Sequence, residues 1–335
     1  MAYSEDGPSL AVVGINLYAI WRGHQGGDKP EEQLWWSKTG PLEGGGKIGR
    51  RGSDTAGQAQ LIKCYPEWVK PGEIPDAGTS HRPSIAKYSI GQTADEESNT
   101  EDRTAGLVAV WKAPQDESIH FSTFNCAEET WKKRSLKTSF GSKAGPAITS
   151  WGRSGAWAVW CGIYGDELLW RAPFDGSAQK PWGGGQRPDY FGMQTRHRPA
   201  LVSFDGRLYL AWLSSAPETV DQILFSSCRD SDQDLGMWEK PISVHSHCHS
   251  SAAPSLATFK GRVYVTWRGK GKDQGVWLML CVRPGETTLM EHPQRLEGAS
   301  TTSTPSLAEW EGKLVLVWKG MNDDRRLWWG MLDLE

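Results

Sequence analysis

The sequence HSHCHS at positions 245–250 places three histidines at alternate positions. In an extended chain, side chains two residues apart point in the same direction, so His245, His247 and His249 could face one ligand, one metal ion or only solvent. Their imidazoles and the thiol of Cys248 are suitable metal ligands, but this spacing is not diagnostic of a metal site without acidic partners. The sequence therefore predicts no metal here and leaves a binding or catalytic role open.

Two His-Arg pairs are the other candidates for chemistry. His81-Arg82 and His197-Arg198 each come immediately before a proline. A guanidinium binds anions through fixed N–H donors, and an imidazole transfers protons near neutral pH. Whether these residues act together depends on the elements that position them.

Composition and charge narrow the class of protein. The chain has 335 residues, a formal net charge of -3 and 23% charged residues, which does not predict a nucleic-acid surface. No apolar run approaches the roughly 18 residues that a membrane helix needs, and the first residues lack the features of a secretory signal. Six cysteines show no spacing typical of a disulfide scaffold. We therefore expect a cytoplasmic protein without nucleic-acid or membrane partners.

A repeat covers essentially the whole chain. Each copy has a proline, a short apolar strand, a glycine turn and an alternating strand that ends in tryptophan; Pro8 to Trp21 and Pro305 to Trp318 are each 13 residues apart. A third apolar element follows, and a fourth usually carries another tryptophan. The six copies begin GPSLAVVG, RPSIAKY, GPAITSW, RPALVSF, APSLATF and TPSLAEW.

Six repeats of four short alternating strands predict an all-β fold, a six-bladed β-propeller. We expect one domain over residues 1–335, with blades near 8–70, 81–133, 144–184, 197–242, 252–292 and 303–335. The last repeat ends after its third strand, so the ring is expected to close with an incomplete, three-stranded blade or with a short strand at residues 2–4. Residues 38–60 are Gly-rich and lack apolar periodicity, which predicts a mobile insertion loop.

The tryptophan that ends each second strand occupies one repeat position. A large side chain at the same place in every blade predicts packing between neighbouring blades. These tryptophans are Trp21, Trp111, Trp160, Trp212, Trp267 and Trp318.

The repeat pattern PSLAxFxGxLYxxWxG resembles those of lectin-like and sialidase-like propellers of fungi and bacteria. Sialidases carry Asp-box turns, of which SDQDLGMW at 231–238 is a distorted relative, and the sialidase catalytic residues have no counterparts at mappable positions. Six-bladed fucose lectins repeat an Arg, a Glu and a Trp in each pocket between blades, and we find no such recurring set in the sequence. The resemblance therefore implies the fold and not the function.

The prolines indicate where an axial site would lie. In propellers of this type, the connection from a fourth strand to the next first strand usually lies at the mouth of the central channel. The residues before the prolines of blades 2 and 4 are the two His-Arg pairs, and the histidine run lies just upstream of blade 5. Because the blades differ here, one asymmetric site is favoured over six structural copies.

The candidate site has two groups of side chains. The predicted acid–base residues are His81, His197 and His249. The predicted substrate-binding residues are Arg82, Arg198, Tyr190, Phe191, His245 and His247.

These residues predict a cofactor-independent, non-metal enzyme with one axial pocket for a small hydrophobic oxygenated molecule. Dehydration, cyclisation or a pericyclic coupling such as a Diels-Alder-type reaction in secondary metabolism would suit such a pocket. The alternative is a carbohydrate-binding lectin of the β-propeller type. A protein-interaction scaffold is the third hypothesis. The expected partner is a small organic molecule or a glycan, and a homo-oligomer is left open.

Overall fold

The chain forms six antiparallel β-sheets arranged as the blades of a propeller, as the repeats predict. The computed structural model describes residues 3–24, 32–40, 59–62, 68–89, 105–133, 135–152, 155–177, 179–187, 193–231, 234–235, 238–246, 248–282 and 292–334. The helical segment found in these ranges is the 3₁₀ turn Pro217–Thr219. No helix in the described ranges is long and apolar enough to cross a membrane.

The strands of each blade run in sequence order from the axis outward. In blade 1 they are Ser9–Val13, Asn16–His24, Gln33–Thr39 and Gly72–Gly78. In blade 2 they are Ser84–Ser89, Ala105–Lys112, Ser118–Asn125 and two short outer strands, Thr130–Trp131 and Leu136–Gly141. Blade 3 has Ala147–Trp151, Gly155–Cys161 and Leu169–Phe174, with its outer edge reduced to single bridges from Trp182, Gln186 and Gln194.

Blades 4 to 6 follow the same plan. Blade 4 has Ala200–Phe204, Arg207–Leu213, Ile223–Ser231 and the short outer strands Asp234–Leu235 and Ile242–Ser243. Blade 5 has Ser255–Phe259, Arg262–Arg268, Gly275–Val282 and Gln294–Ser300. Blade 6 has Ser306–Trp310, Lys313–Lys319, Leu327–Asp333 and, from much earlier in the chain, Gln60–Ile62.

The core lies between the blades. Second strands are buried on both faces, as in Arg207–Leu213, because each sheet is covered by a neighbour on either side. The six second-strand tryptophans are 0–3% exposed. Each belongs to an apolar cluster that joins adjacent blades; Trp160, for example, packs with Ala86 and Tyr88 of blade 2. Burial of such large side chains is the main force that holds the ring together.

Blade 6 obtains its outer strand from the first repeat. Gln60–Ile62 pairs with Leu327–Asp333, with Leu61 opposite Leu332, and therefore completes a fourth strand. Tyr3–Ser4 instead pairs with the end of the second strand of blade 1 and bridges to Arg326 of blade 6. The short strand expected at residues 2–4 is therefore present and links blades 1 and 6, whereas the fourth strand of blade 6, Gln60–Ile62, is in neither sequence alternative. Most of the expected insertion loop, residues 41–58, lies outside the described residues.

A buried hydroxyl fixes each connection that leads to an innermost strand. It lies four residues before the proline in all six repeats and is 0–1% exposed. Thr79 Oγ1 donates to the carbonyl of Lys112, and Thr195 Oγ1 to that of Leu213, each at 2.7 Å. The three residues between hydroxyl and proline are thereby held at the channel mouth. The six hydroxyls belong to Ser4, Thr79, Ser142, Thr195, Ser250 and Thr301.

Candidate functional site

The six innermost strands surround a narrow axial channel. The first residues of these strands line a cavity of about 60 Å³ with a mostly polar wall. The guanidiniums of Arg82 and Arg198 line it, together with hydroxyls of the innermost strands. These hydroxyls belong to Ser9, Ser84, Ser255 and Ser306.

Arg82 reaches from blade 2 across the channel to blades 1 and 6. Its Nη2 donates to the carbonyl of Pro8 and to the hydroxyl of Ser306, and its Nη1 lies 3.4 Å from the carbonyl of Pro305. The side chain is buried, and its Nε has no hydrogen-bond partner in the described parts of the chain. Burial, followed by the positive charge of Arg198, lowers the pKa of Arg82.

Arg198 reaches from blade 4 to blades 3 and 2. Its Nε donates to the carbonyl of Pro146 at 3.0 Å, and its Nη2 donates to Ser84 Oγ at 2.8 Å. Burial lowers the pKa of Arg198 to about 10, so the guanidinium remains charged at neutral pH. Both arginines therefore lie in the channel and cross-link the blades around it through hydrogen bonds.

His81 and His197 occupy equivalent positions at the channel mouth, each just before its arginine. His81 is partly buried and its Nδ1 lies 2.9 Å from Ser80 Oγ, whereas His197 is exposed. Burial and then the charge of Lys112 lower the pKa of His81, and burial lowers that of His197. Both imidazoles are consequently neutral at pH 7 and able to accept a proton.

The histidine run lies further from the axis, along the outer part of blade 4. His249 bridges to Gln222 and its Nδ1 is buried without a partner among the described residues. His245 packs against His292 with 5.9 Å between ring centroids. The structure therefore does not bring His245 close to His81 and His197 in any described contact. No group of three or more His, Cys, Asp or Glu that could hold a metal occurs in the ranges given above.

The remaining predicted site residues, Tyr190, Phe191 and His247, lie outside the described residues. The assignment of catalytic and substrate-binding roles to all nine residues stays a prediction.

A recurring set of charged and aromatic residues that sequence reasoning missed is centred on a tryptophan of the third strand. Three blades carry an aspartate, a tryptophan and an arginine in mutual contact, which we call the Asp–Trp–Arg clusters. They are Asp166, Trp170 and Arg187 in blade 3, Asp273, Trp277 and Arg295 in blade 5, and Asp324, Trp328 and Arg326 in blade 6.

The three clusters share one geometry. The indole Nε1 donates to the aspartate Oδ2 at 2.9 Å in blade 3 and at 2.8 Å in blades 5 and 6. The guanidinium carbon lies 4.7 Å from the indole centroid in blade 3 and 4.9 Å in blade 6. In blade 5 the arginine Nε is 4.0 Å from the aspartate Oδ1. Ion pairing with the aspartate thus positions the arginine in all three blades, and a cation–π contact adds to it in blades 3 and 6.

The loop before each third strand positions the cluster. The aspartate Oδ1 accepts a backbone N–H two residues later at 2.9–3.1 Å, which is a local turn typical of Asp. A glycine four residues before the aspartate makes room: a Cβ at Gly162, Gly269 or Gly320 would lie 2.1–2.6 Å from the aspartate side chain. The spacing W-x-G-x₃-D-x₃-W, present in all three blades, is the sequence signal of this arrangement.

The clusters are accessible to solvent. The arginine side chains are 47–60% exposed and the aspartates 24–38%, and the tryptophans are partly buried. Each cluster combines an apolar indole, N–H donors and a carboxylate acceptor on one small surface. Such a surface suits a molecule with an apolar face and several hydroxyl groups.

The other blades depart from this geometry. Blade 2 has His120 in place of tryptophan, with Lys137 3.6 Å from Asp116. In blade 1, Trp35 is buried and donates to the carbonyl of Gly23. The full cluster is therefore found in three of the six blades as described.

Comparison with solved structures gives several chains of similar fold. A mutant of Aleuria aurantia lectin in complex with alpha-methyl-L-fucoside superposes with a TM-score of 0.57 and 11% identity, covering 100% of this chain and 96% of that one. A protein of unknown function from Dyadobacter fermentans gives a TM-score of 0.62 and 11% identity over 99% and 95%. A mutant of the NanB sialidase from Streptococcus pneumoniae gives 0.56 and 10% over 100% and 70%.

These likenesses confirm the predicted six-bladed propeller fold. At 10–11% identity they show the fold alone. No family profile and no curated protein matches the chain.

Proposed function

We propose that the protein binds carbohydrate through its three Asp–Trp–Arg clusters. The observation that carries this proposal is the recurrence, in blades 3, 5 and 6, of a partly exposed tryptophan that donates to an aspartate, with an arginine paired to the same aspartate. Packing of the core does not require these solvent-accessible charged groups, whereas a surface that binds a polar ligand can use them.

The chemistry of each cluster suits a neutral sugar. The C–H face of a sugar ring packs on an aromatic ring, and its hydroxyls bond to charged groups with useful strength. In blade 3, Arg187 uses Nη2 for Asp166, and its other N–H donors have no partner among the described residues. In blade 6, Arg326 uses Nε and Nη2 for Asp324, and its Nη1 has no partner in the described ranges.

Three weak binding sites on one rigid ring increase the overall affinity when they bind the same ligand. When one branched or surface-bound glycan engages more than one site, the overall affinity exceeds that of a single site by a factor of about 10²–10⁴. The similar fold of Aleuria aurantia lectin, solved with a fucoside, makes fucosylated glycans the first ligands to test.

Titration calorimetry against a panel of monosaccharides, followed by a glycan array, tests the proposal. We expect three sites per chain, with Trp170→Ala, Trp277→Ala and Trp328→Ala each removing one site and the triple variant removing all. Val220→Ala is the control, because Val220 is 51% exposed in blade 4, where Leu224 stands at the position of the cluster tryptophan. A single site per chain, or binding retained by the triple variant, would contradict the proposal.

The enzyme with one axial pocket stays a prediction that gains little support. Its neutral imidazoles, His81 and His197, suit a general base. However, the channel cavity of about 60 Å³ is far below the roughly 300–1,000 Å³ of most small-molecule sites. Turnover that His197→Ala abolishes, without sugar binding at the clusters, would favour the enzyme over the lectin.

A further inference from the structure

We propose that the axial channel binds a small monovalent anion, such as chloride, between the guanidiniums of Arg82 and Arg198. This site is separate from the Asp–Trp–Arg clusters and does not depend on them.

The channel holds two positive charges without an anionic partner in the described structure. Neither Arg82 nor Arg198 makes an ion pair within 4.0 Å in those ranges. Asp6 is the carboxylate that acts on Arg82 electrostatically, but its Oδ2 is already bonded to Arg22 at 3.0 Å. Buried charges are costly unless they are paired, so a counter-ion in the channel would be strongly stabilised.

The hydrogen-bonding positions around the cavity that have no partner among the described residues are donors. Ser84 Oγ accepts from the backbone N–H of Ile148 at 3.1 Å and from Arg198 at 2.8 Å, so its own proton is left to donate. The hydroxyl of Ser255 also lines the cavity and has no partner among the residues described. Arg82 Nε adds a further unused donor.

Several acceptors around the channel are already engaged. The carbonyls of Pro8 and Pro146 accept from Arg82 and Arg198, respectively. Ser9 donates to the carbonyl of Pro83 at 2.6 Å, and Ser306 donates to that of Pro8. Surplus donors around positive charge favour an anion over a cation.

The size of the cavity restricts the anion. A volume of about 60 Å³ holds roughly four water-sized particles, which suits a halide with a few waters. Sugars and other large polar ligands do not fit. Because Arg82 contacts blades 1 and 6 and Arg198 contacts blades 2 and 3, such an ion would couple five blades of the ring.

Bromide diffraction gives the first test. Crystals grown with sodium bromide in place of chloride should show an anomalous peak in the channel, within about 3.5 Å of guanidinium nitrogens. Ordered bromide elsewhere on the protein without a peak in the channel would overturn the proposal. This measurement uses the unaltered protein and does not depend on whether a variant folds.

Thermal unfolding gives the second test. At constant ionic strength, 100 mM chloride should raise the Tm by roughly 2 °C over gluconate, with saturation. Arg198→Gln should lose this dependence, while Arg196→Gln should keep it because Arg196 is 70% exposed and pairs with Glu167. An equal chloride effect in the two variants would rule out the site.

Discussion

The indole Nε1 of Trp328 donates to Oδ2 of Asp324 at 2.8 Å, across four positions of the chain. The same carboxylate accepts the backbone N–H and the Nε of Arg326 at 3.1 and 2.7 Å. One aspartate thus fixes the loop, the start of the third strand and both partners in the cluster. These bonds, those from Arg326 first, lower the pKa of Asp324 to about 2.

Replacing Asp324 should make the protein less stable in a pH-dependent way. We expect Asp324→Asn to cost about 1 kcal/mol of unfolding free energy near neutral pH, because the carboxylate is partly solvent-screened. The folded pKa lies below the unfolded one, so the contribution is full above about pH 4 and disappears as the pH falls towards 2. Urea unfolding from pH 6 to 2 measures this. Asp323→Asn, in the same loop, is the control and should follow the unaltered protein.

Gly145 should not tolerate a side chain. A Cβ there would lie 2.3 Å from the carbonyl oxygen of Arg82 and 3.4 Å from Cδ of Arg198. Because both arginines are held by hydrogen bonds across the channel, we expect Gly145→Ala to cost more than about 2 kcal/mol. Gly184→Ala, where nothing lies within 4 Å, is the control for the Tm measurement. Equal Tm values for the two variants would contradict this packing.

Mild acid should weaken the channel mouth. Burial lowers the folded pKa of His81 and His197 from 6.5, so the unfolded chain binds more protons below that pH and stability falls as the pH decreases. The double variant His81→Gln, His197→Gln should therefore lose less stability between pH 7 and 5, with most of the difference coming from His81, because the exposed His197 is screened by solvent. Guanidinium unfolding at the two pH values measures it. Parallel pH dependence in the double variant and the exposed His292→Gln would argue against the effect.

The closing strand should be essential for stability. Leu61 packs against the buried cluster of Leu296 and Leu332 between blades 5 and 6, so Leu61→Asp should cost about 2–4 kcal/mol. Leu136→Asp is the matched control, on an outer strand where the side chain is 44% exposed. Urea unfolding and limited proteolysis should both separate the two. Similar values would mean that the ring does not depend on this strand.

Much of the fold is predictable from the sequence. The proline-to-tryptophan spacing defines each inner pair of strands because a turn and a fixed strand length separate the two residues. The closing strand, in contrast, is only three residues long, Gln60–Ile62, and follows a Gly-rich stretch without alternation. Its identity depends on a partner, Leu327–Asp333, that lies at the other end of the repeat array. No local pattern contains that information.

Only part of the candidate site could be predicted from the sequence. The spacing of Asp166 and Trp170 recurs in two other blades and could have been found in the sequence. The arginines could not have been found in the same way, because they come from different parts of the blades. Arg187 and Arg295 lie on the outer edge and face their tryptophans through sheet pairing, whereas Arg326 belongs to the loop before the third strand. For Arg82 and Arg198, both of which line the channel in the structure, the sequence predicts a position at the channel mouth. It could not show that proline carbonyls and serine hydroxyls would occupy most of their donors.

The pairing of Leu61 with Leu332 joins positions 271 residues apart. During synthesis, the segment around Leu61 leaves the ribosome long before its partner exists and must wait, unpaired, while four later blades are made. Pairings of such long range are slow to form and leave strand edges exposed in the meantime. The nascent chain is therefore an open arc whose two edges are vulnerable to intermolecular association until the final blade emerges.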